Sequence, residues 1–262
     1  MRLPIYHVDA FTDRLFGGNP AAVVPLQEWL PDALMQAIAA ENNVPETAFF
    51  VPEGDSYALR WFTPAIEADL CGHATLGTAY IITRFLAPEH RTLSFSTLRA
   101  GRLKVTREGV EMVMDFPAWP SQPAETPMGL AEAVGAAPER YLKGTRDGIA
   151  VFRSQAEVAT LQPDFGSLKR LFLSPLIATA PGDGGIDFVS RFFAPHSGID
   201  EDPVTGSAHC ALIPYWSERL GKTQLKARQI SKRGGHINCE MRGDRVTIGG
   251  RVVLYLQGEI EV

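Results

Sequence analysis

Apolar and polar residues alternate along positions 3–11 closely enough to predict a strand, and Gly17-Gly18-Asn19-Pro20 after it is a turn signal. Ala21-Ala22-Val23-Val24 reads as a short buried strand. Pro31 with Ala33, Leu34, Met35, Ile38 and Ala39 has helical spacing with proline near the first turn, and that helix should stop before Pro45. Residues 46–52 and 57–63 flank the turn at 53–56 as a hairpin. The run from Ala74 to Ile82 fits a buried helix over about 72–85, in which Gly77 permits close packing. Short strands are predicted near 92–98, 101–107 and 110–116. Four prolines with polar residues between them make 117–127 the best linker in the chain. Beyond it the pattern predicts a helix near 128–136 and strands near 148–153, 174–180 and 186–193. A helix near 206–220, bounded by Gly206 and Gly221, and strands near 237–241, 245–249 and 251–260 close the chain. One long buried helix among short strands on each side of the linker, without regular alternation, predicts an α+β protein with lobes at 1–117 and 118–262.

The two halves repeat an order of motifs. An apolar stretch at 48–51 meets the turn at 52–56, then Arg60-Trp61-Phe62-Thr63-Pro64 and the small-residue run from Cys71. In the second half Ile177-Ala178-Thr179-Ala180 meets the turn at 181–185, then Arg191-Phe192-Phe193-Ala194-Pro195 and Asp202-Pro203-Val204-Thr205-Gly206-Ser207-Ala208. Arg60 and Arg191 lie 131 positions apart, half of the 262-residue chain. Two such lobes, each presenting the start of a glycine-containing helix, predict a cleft with anion-binding helix ends on both walls.

Composition narrows the function. Hydrophobic content of 45% and charged content of 21% are those of an ordinary soluble protein, and a net charge of -5 argues against nucleic acid or an anionic membrane as the main partner. No apolar leader-like segment follows Met1, and the apolar runs are too short to span a bilayer. Cys71, Cys210 and Cys239 form an odd set without C-x-x-C spacing, which predicts a reducing, cytoplasmic setting and no structural zinc. No His/Glu set has metal-ligand spacing, so no metal is expected. Phosphate-loop, dinucleotide-binding and nucleophile-elbow signatures are absent as well.

Three constellations remain. Glu46 stands at the start of an apolar strand, where desolvation would raise its pKa toward a general base; the plainer alternative is an exposed carboxylate between helix and strand. In Asp69-Leu70-Cys71-Gly72-His73, a helix beginning near Gly72 would offer backbone N–H groups to a carboxylate or phosphate, and His73 could bind substrate or shuttle a proton. Alternatively Asp69 is an N-cap and His73 a surface imidazole. Cys71 at a helix N-terminus is either an activated thiol or a small buried filler. The third group is Asp200, Glu201 and Asp202 before Pro203, with Asp202 an N-cap and Pro203 at the first helical position. Three carboxylates exceed what capping needs, and one could orient an amine or accept a proton, while Gly206 and Ser207 offer N–H groups and a hydroxyl to an anion. His196 and His209 are further candidates. Carboxylates, a histidine and helix ends suit proton transfer on a small anionic molecule.

These motifs, in this order, resemble those of the PhzF family, the phenazine-biosynthesis isomerase-like proteins, over essentially the whole chain. The resemblance rests on Val8-Asp9-Ala10-Phe11-Thr12, Gly18-Asn19-Pro20-Ala21-Ala22-Val23, Glu46-Thr47-Ala48-Phe49, Phe62-Thr63-Pro64 with Glu67, and Cys71-Gly72-His73-Ala74-Thr75-Leu76-Gly77. Phe193-Ala194-Pro195 and Glu201-Asp202-Pro203-Val204-Thr205-Gly206-Ser207-Ala208 complete it. It implies two pseudo-symmetric lobes, each a curved mixed sheet around a central helix as in diaminopimelate epimerase, with the active site between the lobes. It further implies no cofactor, no metal, a leaning toward a homodimer, and an isomerase that moves a proton by glutamate acid–base catalysis. Glu46 matches the family's catalytic glutamate, with His73, Asp202 and Ser207 in support and Gly72 and Gly206 near the substrate carboxylate. Cys71 takes the place of a catalytic thiol of the cysteine-dependent epimerases, and Asp202 stands where a partner thiol would be wanted. Pro45 before Glu46, where a small polar residue is expected, departs from the pattern, as do the neighbours of Gly72-His73. The implied substrate is an amino-acid-like or dihydroanthranilate-like carboxylate. A metabolite-binding protein without turnover and a Cys71-based racemase are the competing readings.

Overall fold

In the computed structural model, which describes residues 1–262, the chain opens with the antiparallel pair β1 (Arg2–Ala10) and β2 (Asn19–Pro25). Helix α1 (Asp32–Asn42) follows, with Pro31 at its N-cap and Asn43 ending it in the left-handed region at φ 49°. Strand β3 (Glu46–Glu53) lies parallel to β2 and forms a hairpin with β4 (Ser56–Phe62), which pairs in turn with β5 (Glu67–Ala68). Helix α2 (Gly72–Ile81) runs into a single π-helical turn at Ile82–Leu86. Then β6 (Thr92–Thr97) pairs parallel with β4 and antiparallel with β7 (Arg102–Glu108), followed by β8 (Glu111–Pro117).

The second half holds β9 (Gln122–Ala124), α3 (Leu130–Val134), β10 (Arg140–Lys143) and β11 (Gly148–Val151). After α4 (Gln155–Thr160) and α5 (Phe165–Leu171) come β12 (Leu176–Pro181), β13 (Phe188–Ala194) and β14 (Ile199–Asp202). Helix α6 (His209–Leu220), β15 (Gln224–Gln229), β16 (Gly235–Arg242), β17 (Arg245–Gly250) and β18 (Val252–Glu261) complete the α+β fold. The expected linker is partly strand, because Gln122–Ala124 pairs with β10.

The order of pairings repeats. A parallel pair, β2 with β3, leads through a hairpin to β4, which is parallel to β6; likewise β11 with β12 leads to β13, parallel to β15. Each half is a mixed sheet on a central helix. In α2 nearly every side chain is buried, from His73 through Ile81, so the helix is apolar all round and inaccessible to water. A Cβ built on Gly77 would stand 2.7 Å from Val8 Cγ2, which is why glycine sits where the helix meets β1. Thr75 and Thr78 hide their hydroxyls by donating to the carbonyls of Cys71 and Ala74 one turn back. In α6 the buried face carries Cys210, Ala211, Leu212, Ile213 and Trp216.

One predicted boundary changes. The compact units are Met1–Asp115 together with Gly249–Val262, and Phe116–Ile248, rather than the halves 1–117 and 118–262. The cause is β18, which pairs with β1 from Arg2↔Glu261 to Ala10↔Val252 and so belongs to the first unit.

The repeat extends to side chains. Arg60 on β4 donates from Nε to Glu67 Oε1 at 2.7 Å and from Nη2 to Oε2 at 2.9 Å. Arg191 on β13 makes the same fork to Glu201, at 2.7 and 2.9 Å. The two guanidinium groups lie over Phe62 and Phe193 at 5.2 and 5.0 Å.

Candidate active site

Glu46 is the first residue of β3 and pairs across the parallel ladder with Ala21, two residues along the strand that Asn19 begins. Cys71, in extended conformation, is the N-cap of α2, and His73 is the second helical residue. Backbone geometry thus brings together four residues from three segments. His73 Nε2 stands 3.0 Å from Glu46 Oε2, with the two side chains 6% and 13% exposed. His73 Nδ1 lies 3.1 Å from Asn19 Nδ2, and Cys71 Sγ lies 3.5 and 3.8 Å from the two ring nitrogens.

Electrostatics follow from this geometry. Burial is the largest influence and pushes the Glu46 carboxyl up, as the sequence predicts, but the charge of His73 and the hydrogen bonds of His73 and Cys71 together hold it below the usual carboxylate range. Burial opposes protonation of His73, yet the anionic side of the cluster raises its pKa well above the ordinary value. The Cys71 thiol is pushed up to about 11 by burial and by the neighbouring carboxylate, so it is a thiol at neutral pH. An imidazolium needs the Asn19 amide to turn its oxygen toward Nδ1, whereas the amide nitrogen there suits a neutral ring.

The plainer alternatives for Asp69 and His73 fail, whereas Cys71 is the buried, protonated thiol of the plainer reading. His73 is buried, and Asp69 is no N-cap; it is exposed and paired with Arg99 at the surface. The first regular bond of α2 runs from Thr75 N–H to Cys71 O, so the N–H groups of Gly72 and His73 precede it at the helix start.

In the second unit the structure separates the three carboxylates. Asp200 is exposed, and Glu201 is held in the Arg191 fork. Asp202 ends β14 instead of capping a helix: α6 begins at His209, with Ala208 at its N-cap. Gly206 and Ser207 lie in the turn before it, whose carbonyls accept from His209 and Cys210 N–H in a tight 3₁₀-like pattern. Thr205 Oγ1 donates to Asp202 Oδ2 at 2.5 Å. Buried Gln229 accepts the Thr205 N–H at 2.9 Å and donates to Asp202 O at 2.7 Å. His209 donates from Nδ1 to Thr205 O at 2.8 Å and is itself neutral, because burial lowers its pKa to about 4. It is a positioning residue for this turn, and His196 is exposed and apart from it.

The matched forks set the register between halves. Cys71-Gly72-His73 begins four residues after Glu67, and Thr205-Gly206-Ser207 begins four after Glu201. Thr205, rather than Asp202, therefore occupies the place of Cys71. Sequence reasoning missed Asn19 and Gln229; Asn19 stood in a Gly-Gly-Asn-Pro stretch taken for a turn, and Gln229 carried no signal.

Comparison with known proteins identifies the family. The model of the family described as phenazine biosynthesis-like protein matches residues 8–258. The chain belongs to the PhzF family. Among family members it is 50% identical over 262 residues to an uncharacterized isomerase of Pseudomonas aeruginosa, covering all of both chains. The crystal structure of a PhzF-family protein from Enterococcus faecalis superimposes with a TM-score of 0.97 at 47% identity, covering 100% of each chain. The PhzF fold extends to a hydroxyproline epimerase from Agrobacterium vitis, with a TM-score of 0.60 at 12% identity over 99% of this chain and 91% of that one. Relatives in the family are named uncharacterized isomerases, and the Agrobacterium vitis fold relative is named an epimerase.

Proposed function

We propose that this protein is a cofactor-independent isomerase that moves a proton within a small carboxylate-bearing metabolite, with Glu46 as the acid–base group. The observation that carries the reading is a buried, ionised carboxylate 3.0 Å from a buried imidazole at the start of a central helix. Glu46 takes a proton from a carbon next to an activating group, and the electron pair stays on the substrate as an enolate or dienolate. The carboxylic acid so formed returns the proton to another carbon, or to the other face, and no oxidant is needed. A carboxylate held below its usual pKa is a weak base, so the substrate carbon must itself be acidified. His73 makes up part of the difference: once Glu46 is neutral, the imidazolium is free to face the new negative charge. The helix start at Gly72 and the turn at Gly206 and Ser207 favour a substrate carboxylate, and Asp202 suits an amine. A dihydroanthranilate or an α-amino acid fits these demands.

Incubation in D2O with small amino and hydroxy acids, including a dihydroanthranilate, followed by NMR, tests the reading. Glu46→Gln should reduce deuterium incorporation by about 10²–10⁴-fold while Cys71→Ser retains it. The contact of Cys71 with His73 favours one second reading, a thiol-based racemase, in which the two variants would exchange their outcomes. Thr205 at the matching place and the raised thiol pKa weigh against that alternative. Ligand binding without exchange in any protein would replace both with a metabolite-binding role.

A further inference from the structure

We propose that a pocket at the far end of α2 binds a small dianion with an apolar body, a phosphate monoester or a dicarboxylate. The pocket has a volume of about 480 Å³ and is built wholly from the first unit. Its walls come from the loop after β1, the π-helical turn that ends α2, the turn between β7 and β8, and the junction of β17 with β18. No residue of the Glu46 cluster lines it. Arg84 stands eleven residues beyond His73, roughly 15 Å along a helix, so this is a separate place.

Charge is the first observation. Arg84, Arg107 and Arg251 line the pocket, and Asp13 is the one carboxylate there. Three positive charges against one negative leave two to be balanced, in a chain whose net charge is -5. Arg107 donates from Nη1 to Thr83 O at 3.0 Å and from Nη2 to Pro88 O at 3.1 Å, both neutral acceptors. Holding the chain end of the helix therefore occupies two of its five N–H groups and neutralises none of its charge. Arg84 rests on the rings of Tyr80 and Phe85, at 5.9 and 5.6 Å, which also leave its charge in place. Arg251 meets Asp13 at 3.5 Å with both side chains more than half exposed, a pair worth little that an incoming anion can displace.

Local structure is the second observation. The π-helical turn Ile82–Leu86 is a rare form that concentrates at functional sites, and Ala87 N–H closes it on Ile82 O at 2.7 Å. It offers the Thr83 carbonyl to Arg107 and places Arg84 on the same pocket. Thr12 N–H donates to Arg251 O at 3.1 Å, which ties the Asp13 loop to the β17–β18 junction. Pro88, Val110 and Val253 add apolar surface to the same walls. Guanidinium groups fork onto phosphate or carboxylate oxygens, while the apolar wall covers the rest of the molecule. A mixed pocket of this size suits a metabolite rather than a lone inorganic ion.

Calorimetric titration of the intact protein with phenyl phosphate, phthalate and benzoate tests the site. A dianion should bind once per chain, monoanionic benzoate should bind more weakly by about tenfold or more, and the tighter of the two dianions names the natural group. Arg84→Ser and Val110→Glu, both at exposed positions, should each weaken the dianion by about tenfold, while Arg102→Ser, an exposed arginine of β7 outside the pocket, should keep it. Asp13→Asn removes the competing carboxylate and should tighten binding severalfold, a gain that a damaged fold would not give. Binding at the helix starts near Gly72 and Gly206 would survive Arg84→Ser, so full affinity in that variant overturns the proposal. No saturable binding in the parent, equal affinity for benzoate, or an equal loss in Arg102→Ser overturns it as well. None of these readouts involves turnover, so the site holds or fails apart from the isomerase reading.

Discussion

At the scale of residues, Asp147 and His209 carry opposite electrostatic burdens inside the second unit. Burial raises the Asp147 carboxyl from 3.8 to about 6 against the opposing pull of Arg146. Its folded pKa exceeds the unfolded one, so its stability contribution is complete below pH 3.8 and is lost as pH rises through about 6. His209 falls from 6.5 to about 4, so its contribution is complete above pH 6.5 and is lost as pH falls toward 4. Each shift corresponds to roughly 3 kcal/mol, and in the window from 4 to 6 the two slopes cancel. Denaturant unfolding of Asp147→Asn should show higher stability at pH 7 and a new decline below pH 6. His209→Asn, which keeps a donor for Thr205 O, should instead gain stability on acidification. Parallel pH profiles for the parent and both variants would show that these groups do not set the slope.

At the scale of elements, α2 decides the first unit. Gly77→Ala sets two effects against each other: alanine favours a helix interior by about 1 kcal/mol, and overpacking costs about 1–3 kcal/mol. With the new Cβ 2.7 Å from Val8 Cγ2, overpacking should win, and Val8→Ala in the same chain should restore part of the loss in a double-mutant cycle. This helix was legible because an uninterrupted run of small and apolar residues suits only a buried helix. Strands such as Arg140–Lys143 and Gln224–Gln229 were not, since most of their residues are polar and neighbouring strands hold them. Helix α4 did carry a signal that pattern reading passed over: Ser154 accepts the Glu157 N–H three residues on. The candidate site was legible one residue at a time. Glu46, Cys71 and His73 could each be named, but their meeting depends on a parallel strand placing one beside a helix start, which linear spacing does not encode. The depressed Glu46 pKa followed from that meeting and reversed the expectation drawn from burial alone.

At the scale of the whole molecule, the duplicated forks give a symmetric test. Arg60 and Arg191 are 11% and 12% exposed, and each holds its glutamate by paired bonds. Arg60→Met and Arg191→Met should each cost up to about 3–5 kcal/mol by stranding a half-buried carboxylate. Hydrogen exchange should place each loss in the variant's own unit; a loss spread evenly over both would count against two separately built halves. The two units still differ in how the chain supplies them. The second is one continuous stretch, Phe116–Ile248, whereas the first takes Gly249–Val262 as well. During synthesis from the N-terminus, β1 therefore waits for β18 while every residue of the second unit emerges. The half that holds Glu46 is begun first and closed last, so its long edge strand is the surface most in need of protection on the nascent chain.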